Sequence, residues 1–195
     1  MNTSSRRLIL ASTSPFRKEL LARLGVSFET ASPDVDETRR ENESATTLVT
    51  RLSAAKARAI GASQPGLVIG SDQVATLGDT VLGKPGSHER AVEQLRQLSG
   101  HAVTFQTGLC LLDSENDTQQ LDVVPFTVHF RELDEAQIER YLRHDQPYNC
   151  AGSFKSEGLG ITLFERMEGD DPSALIGLPL IRLTAMLENA GVVLP

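Results

Sequence analysis

The chain has 195 residues, with 19 basic and 26 acidic side chains and a formal net charge of −7. This balance provides no overall positive field to attract a nucleic-acid polymer, so a small anionic ligand needs a local cluster of cations or a metal. Hydrophobic residues make up 39% of the chain, which is enough for the packed core of a single domain over residues 1–195.

The amino-terminal region predicts neither export nor membrane insertion. Its apolar run, Leu8–Ala11, is short, whereas a signal peptide needs a longer run and a membrane span needs roughly 20 residues. Two cysteines predict no disulfide framework. We therefore expect a cytoplasmic protein without a membrane partner, and its oligomeric state stays open, a homodimer included.

The first part of the chain alternates apolar runs with amphipathic segments. Ser14 and Pro15 are typical of a helix N-cap and first helical position, and Gly25 is typical of a helix end. In chain order the predicted elements are a strand Leu8–Ala11, a helix from Pro15 to about Leu24, a strand Val26–Ser32, an acidic loop 33–38, a helix from Ser44 to about Ala62 and a strand Leu67–Gly70.

The second part of the chain predicts a hairpin between helices. Its elements are a turn at Gly78, a helix from Ser87 to Gly100, a hairpin of His101–Leu112 and Leu121–Arg131, a helix from Asp134 to about His144, a Gly-rich segment 151–160, a strand Ile161–Phe164 and a helix Pro179–Ala190. Mixed helices and strands with a long hairpin predict an α/β fold with an antiparallel half.

The segment Ser12–Lys18 joins the first strand to the first helix. Free N–H groups and the dipole at such a helix start favour an anion. Arg17 lies in the first turn, where the dipole disfavours a cation and a bound phosphate would offset that repulsion. An ordinary capped helix with solvated cations is the alternative.

Carboxylates occur in two places that suit metal or proton chemistry. Asp34, Asp36 and Glu37 offer hard oxygen ligands for Mg²⁺ or Mn²⁺. Asp72 follows a hydrophobic strand, at the end where open α/β sheets bind ligands, so it is a candidate metal ligand or general base. The alternatives are an acidic surface loop and an Asp that begins a turn.

Lysines occupy three positions suited to phosphate. Lys56 points the same way as an apolar helix stripe, so it either snorkels to the edge or reaches inward to an anion. Lys84 stands in a turn between Gly and Pro. Lys155 and Glu157 share one face if their Gly-rich loop is extended; a flexible surface loop is the alternative.

Several motifs in one order resemble the Maf-like nucleotide pyrophosphatases, from about Leu8 to Leu187. The motifs are Ala-Ser-Thr-Ser-Pro-Phe-Arg-Lys at 11–18, Asp-Glu-Thr at 36–38, Lys-Ala at 56–57, Gly-Ser-Asp-Gln at 70–73, Gly-Lys-Pro at 83–85, Thr-Gly at 107–108 and the loop 151–158. Within the family the chain is most similar to the 7-methyl-GTP branch, although Phe16 stands where that branch has Trp.

This resemblance implies a twisted mixed sheet in two lobes with an active cleft, a nucleoside triphosphate substrate and a divalent metal, Mg²⁺ or Mn²⁺. It implies that Asp72 accepts a proton and that Glu37 and Asp72 hold the metal. The substrate-specificity positions are Phe16, Gln73 and Glu157, and the phosphate pocket is lined by Ser12, Arg17, Lys56 and Lys84. We expect Gln73 to offer both a donor and an acceptor to the base or sugar.

Two other functions remain open at the level of sequence. Residues Asp34–Thr38 fit the Asp-x-Asp-x-Thr pattern of phosphatases that use an aspartate nucleophile, although Ser32 and Pro33 separate them from the preceding strand. The family has also been linked to septum formation, so a non-catalytic nucleotide-binding regulator of cell division is the second alternative. A pure binder has no need of a general base at Asp72.

Overall fold

A computed structural model describes residues 6–194. The elements are β1 Leu8–Ala11, α1 Pro15–Ala22, β2 Glu29–Ala31, α2 Ala45–Gly61, β3 Leu67–Leu77, β4 Thr80–Leu82, α3 His88–Leu98, β5 Ala102–Asp113, β6 Thr118–Phe130, α4 Glu135–Asp145, β7 Phe164–Glu168, α5 Pro172–Ile176 and α6 Leu180–Asn189. The predicted α/β class is confirmed, because the strands form one mixed sheet in the order β2-β1-β3-β5-β6-β7, with β4 beside β3.

The chain divides into two compact units. The first contains Met1–Gln73, Thr107–Val124 and Asp171–Pro195, and the second contains Val74–Gln106 and Pro125–Asp170. Strands β3, β5 and β6 contribute residues to both units. Among residues 6–194, no helix is both long and apolar enough to cross a membrane.

Strand β1, in the first unit, is buried on both faces. β1 pairs in parallel with β2 and with β3, and all four β1 residues are buried. Leu8 and Leu10 belong to a cluster that includes residues of α1 and α6, while Ile9 and Ala11 belong to a cluster that includes residues of α2. Continuous apolar runs are therefore required here, as is typical of parallel strands covered on both sides.

Helix α2 packs with its main chain directly against two glycines. A Cβ atom added at Gly70 would lie 2.1 Å from the Ser53 carbonyl oxygen, and one added at Gly108 would lie 2.3 Å from the Val49 carbonyl oxygen. Both separations are far below contact distance, so only glycine admits the helix this close to β3 and β5.

Four phenylalanines in the core of the second unit form a cluster of aromatic rings. Phe154 makes edge-to-face contacts with Phe105, Phe130 and Phe164 at ring-centroid distances of 5.4, 5.5 and 4.9 Å. Such contacts stabilise a core beyond the area they bury. Since Phe154 belongs to the Gly-rich segment, that segment is anchored from the interior and is not a flexible surface loop.

Two predicted strands differ from the structure. The strand predicted at Ile161–Phe164 is wrong, because residues Leu159–Leu163 form a 3₁₀ helix and β7 begins only at Phe164. β7 then continues through exposed, mostly polar residues that pair with β6, so the apolar run marked the segment before the strand. The strand predicted at Val26–Ser32 is limited to Glu29–Ala31, where it pairs with β1.

Two further elements were not foreseen at their full extent. β3 continues through Asp72 to Leu77 because it forms an antiparallel pair with β4 after its parallel pairing with β1. The short helix α5 was missed, although Asp171 and Pro172 provide the N-cap and first helical position typical of a helix start.

Candidate active site

Lys56 lies at the centre of a charged cluster in the first unit. Its Nζ atom is 2.6 Å from Asp72 Oδ1 and 2.6 Å from Glu37 Oε1. The Lys56 and Asp72 side chains are 8% and 11% exposed, whereas Glu37 is 62% exposed. Lys56 therefore reaches inward to the two carboxylates and does not extend to the edge of the helix stripe.

Asp72 lies within β3 and not at its carboxyl end, which corrects the sequence-based expectation. The reason is that the parallel pairing with β1 stops at Ile69 while the strand continues. Asp72 thus comes just after the parallel region, and the close approach of α2 at Gly70 brings Lys56 to it.

The Arg17 side chain extends from α1 to Gly177, the residue that follows α5. Its Nε donates a 2.8 Å hydrogen bond to the Gly177 carbonyl oxygen. Burial lowers the pKa of Arg17, and the carboxylates of Asp72 and Glu37 oppose that shift. The guanidinium is therefore in the electrostatic range of the Lys56 cluster.

The other two predicted residues near α1 differ in exposure. Ser12 is buried, and its Oγ accepts a 3.1 Å hydrogen bond from the Ser14 main-chain N–H. Ser14 caps α1 as predicted. Phe16 is 37% exposed, so its ring is not a core side chain and is available to a ligand.

The loop that carries Glu37 is held by an ion pair between a buried carboxylate, Glu43, and a half-buried arginine, Arg51, which the sequence did not reveal. Glu43 accepts hydrogen bonds from Arg51 Nε at 2.7 Å and Nη2 at 2.8 Å, and from the Arg40 main-chain N–H at 3.0 Å. Arg51 Nη2 also donates to the Thr38 carbonyl at 3.1 Å. These bonds lower the pKa of Glu43 to about 2, with the Arg51 hydrogen bond as the largest cause.

Gln73 has only one of its two polar atoms available, which corrects the expectation of a donor and an acceptor. Its Nε2 donates to the carbonyl oxygens of Ala174 at 2.6 Å and Leu175 at 3.1 Å, and to Thr107 Oγ1 at 3.0 Å. The short helix α5, which the sequence analysis missed, thus supplies two of these partners.

Lys84 and Glu157 are exposed residues of the second unit. Lys84 stands between β4 and α3, where the Gly86 N–H donates to the Tyr148 carbonyl at 2.9 Å. Burial raises the pKa of the Cys150 thiol, Lys155 and Lys84 oppose that shift, and Glu157 adds to it. The charges of Lys84 and Glu157 therefore act on the same thiol.

The Glu157 loop forms a turn, so it does not adopt the extended conformation that would place Lys155 and Glu157 on one face. Residues on both sides of Glu157 bond to α4: the Lys155 N–H donates to Tyr141 Oη at 2.9 Å, and the Leu159 N–H donates to Asp145 Oδ2 at 2.8 Å. Lys155 Nζ donates to the Asp145 carbonyl at 2.9 Å, so it caps a helix end and does not share a ligand-facing surface with Glu157.

The carboxylates near Lys56 fit one mode of metal binding. Within residues 6–194 no group of three or more His, Cys, Asp and Glu side chains is arranged to hold a metal. Two carboxylates, Glu37 and Asp72, converge on one cation. That donor set fits Mg²⁺ or Mn²⁺ in the mode where waters and substrate phosphates complete the coordination.

The aspartate-nucleophile alternative does not fit the structure. Asp34 and Asp36 are exposed, and Asp36 Oδ1 accepts a 2.9 Å hydrogen bond from the Thr38 N–H. The preceding strand, β2, is itself exposed or half-buried. That class of phosphatase needs its first Asp at the end of a buried strand, which this loop does not provide.

Comparison with known proteins identifies the family. The profile described as Maf-like protein matches residues 7–190, so the chain belongs to the Maf-like protein family. A 7-methyl-GTP pyrophosphatase of Nitrosococcus oceani is 58% identical over 185 residues, covering 94% of this chain and 93% of the relative. One of Pseudomonas aeruginosa is 58% identical over 189 residues, covering 96% and 98%.

Among solved structures, the Ham1 protein of Staphylococcus aureus matches with a TM-score of 0.57 and covers 94% of this chain and 99% of its own. Its sequence identity is 12%, so this likeness concerns the fold alone. The α/β architecture is therefore shared with a solved protein over nearly the whole chain.

Proposed function

We propose that this chain hydrolyses a nucleoside triphosphate to the monophosphate and pyrophosphate, with 7-methyl-GTP as its preferred substrate. The observation that carries the proposal is the ammonium of Lys56 held between Asp72 and Glu37 in the first unit. Relatives 58% identical over nearly their full length carry the name 7-methyl-GTP pyrophosphatase, which supports the same reaction here.

In this proposal Asp72 orients and deprotonates the water that attacks the α-phosphorus, and pyrophosphate leaves. Its burial and its 2.6 Å contact with Lys56 hold the carboxylate in one position, as general-base catalysis requires. Arg17, Lys56, Lys84 and the Ser12 hydroxyl bind phosphate oxygens. Positioning and charge neutralisation of this kind supply most of the catalysis in phosphoryl transfer.

We propose Mg²⁺ or Mn²⁺ as the cofactor, held by Glu37 and Asp72. When bound, such an ion neutralises charge on phosphate oxygens. Support comes from the Glu37 and Asp72 carboxylates, each of which has an oxygen atom 2.6 Å from the Lys56 ammonium nitrogen. Because Lys56 contacts both carboxylates, we expect weak metal binding without substrate and tighter binding once phosphates add ligands.

For the base we propose Phe16, Gln73 and Glu157 as the specificity residues. Methylation at N7 makes guanine cationic, so an aromatic face and a carboxylate both complement it. A cation–π contact with the exposed ring of Phe16 contributes about 0.5–2 kcal/mol, depending on desolvation. Glu157 can accept hydrogen bonds from the guanine N1–H and 2-amino group, whereas uracil and thymine carry neither the charge nor the amino group.

We also propose a cytoplasmic location, where nucleotide substrates occur. Cys110 and Cys150 are both free thiols, and unpaired cysteines are compatible with a reducing compartment. Oligomeric state is a separate question, and a homodimer stays a prediction.

The test is a product assay with purified protein. It is incubated with 7-methyl-GTP, GTP, dTTP and UTP in the presence of Mg²⁺, Mn²⁺ or EDTA, and pyrophosphate and orthophosphate are measured separately. We expect metal-dependent pyrophosphate release, with the highest kcat/KM for 7-methyl-GTP. Orthophosphate as the product, or nucleotide binding without turnover, would contradict the proposal. A preference for dTTP or UTP would overturn only the assignment of the base.

A further inference from the structure

The orientation of the Gln73 side-chain amide is fixed by its partners. Nε2 lies 2.6 Å from the Ala174 carbonyl oxygen and 3.1 Å from the Leu175 carbonyl oxygen. Main-chain carbonyls can only accept hydrogen bonds. A flipped amide would place Oε1 against two other oxygens, so the nitrogen must face α5.

Thr107 reinforces this orientation. Its side chain is fully buried, and its hydroxyl donates to the Ala174 carbonyl at 2.9 Å. The hydroxyl has one hydrogen, which is used in that bond, so it can only accept from Gln73 Nε2 at 3.0 Å. The directions of all the hydrogen bonds around the amide nitrogen are therefore determined.

The acceptors on α5 are themselves held in place. The N-cap Asp171 is buried and accepts from the Ser173 N–H at 3.0 Å and the Ile181 N–H at 2.8 Å. The carbonyl oxygen of Gly177, the residue after α5, accepts a 3.0 Å hydrogen bond from Ser71 Oγ. The carbonyls that fix Gln73 thus belong to a rigid turn bonded to the same strand.

Resting on the proposed function, we propose that Thr107 and α5 are positioning elements that make Gln73 present an acceptor, Oε1, and no donor to the nucleotide. No hydrogen bond to Oε1 is found among the described residues, and Gln73 is half-buried. The subsite therefore selects a substrate with an N–H or O–H group at that point, such as a base amino group or a ribose hydroxyl.

The experiment compares 7-methyl-GTP with analogues that each lack one donor: the inosine analogue without the 2-amino group, and the 2′-deoxy and 3′-deoxy analogues. Wild type and the variants Gln73→Met, Thr107→Val and Thr107→Ser are assayed for kcat/KM. Leaving a buried acceptor unpaired costs roughly 10-fold, so we expect one analogue to be about 10-fold poorer with wild type.

The variants decide whether Gln73 causes that penalty. The penalty should disappear in Gln73→Met, shrink in Thr107→Val and persist in Thr107→Ser, which keeps the hydroxyl. The same penalty in wild type and Gln73→Met, or equal behaviour of the two Thr107 variants, would overturn the inference. If circular dichroism shows that Gln73→Met is unfolded, the Thr107 pair decides.

Failure of the proposed function gives a different result. If wild type releases no pyrophosphate from 7-methyl-GTP, the substrate assignment fails, and the analogue series is built on the nucleotide that wild type hydrolyses best. The role of Gln73 is then judged by the same comparison of penalties.

Discussion

Lys56 Nζ and Asp72 Oδ1 form a 2.6 Å ion pair between α2 and β3 in which both side chains are almost completely buried. Two glycines, Gly70 and Gly108, allow the helix main chain to come close enough for this contact. Because a buried charge without its partner is strongly destabilising, the pair has consequences for stability as well as for the proposed catalysis, and the two can be measured separately.

Asp72→Asn preserves the shape of the side chain but removes the base. We expect a loss of kcat on the order of 10²–10⁴ with retention of the fold by circular dichroism. Asp79→Asn is the matched control, since Asp79 is exposed in the turn before β4. Turnover of Asp72→Asn near that of wild type would exclude Asp72 as the general base.

Lys56→Met removes the cation and leaves Asp72 buried beside Glu37. We expect the free energy of unfolding to fall by about 3 kcal/mol, measured by urea denaturation, because a buried partner is left unpaired. Arg58→Met on the same helix is the control, since Arg58 is 53% exposed and exposed pairs contribute about 0–1 kcal/mol. Equal losses in the two variants would contradict the buried-pair interpretation.

Glu157→Gln tests the specificity proposal. Gln keeps the size of the side chain but loses one acceptor oxygen and the charge that complements a cationic base, so kcat/KM should fall for both guanine nucleotides and should fall further for 7-methyl-GTP than for GTP. Glu165→Gln, at another exposed position in the second unit, is the control and should leave both values unchanged. An equal loss on both nucleotides would show that the charge of Glu157 does not select the methylated base.

Glu43 should make stability depend on acid pH. Hydrogen bonds from Arg51 lower the pKa of Glu43 from 4.5 to about 2 in the folded protein. A lowered folded-state pKa contributes stability that is fully present above pH 4.5 and is lost as pH falls toward 2.

The measurement is Tm against pH for wild type, Glu43→Gln and the exposed control Glu41→Gln. Glu43→Gln should lower Tm near neutral pH and flatten its decline between about pH 4.5 and 2, because the titrating group is absent. If Glu43→Gln and wild type decline in parallel over that range, the Glu43–Arg51 pair does not govern acid stability.

Local patterns were sufficient to predict most of the fold. Ser14, Ser44 and Asp134 cap helices as their positions indicated, and the buried runs of β1 and β3 were visible as apolar segments. The segment 159–163 was misread because a short apolar run has no period that separates a strand from a helical turn.

The candidate site could be predicted as a set of residues but not as a geometry. Glu37, Lys56 and Asp72 are far apart in sequence, and their approach depends on main-chain packing at Gly70, which no local pattern encodes. The Glu43–Arg51 pair and the bonding of Gln73 to α5 are likewise long-range contacts between ordinary-looking residues.

The most direct test of the proposed reaction follows the oxygen atom of the attacking water. The purified protein is allowed to hydrolyse 7-methyl-GTP in ¹⁸O-water, and both products are analysed by mass spectrometry. Attack at the α-phosphorus predicts that one ¹⁸O atom enters 7-methyl-GMP and that the pyrophosphate is unlabelled. Label in the pyrophosphate and none in the monophosphate would contradict the proposed mechanism.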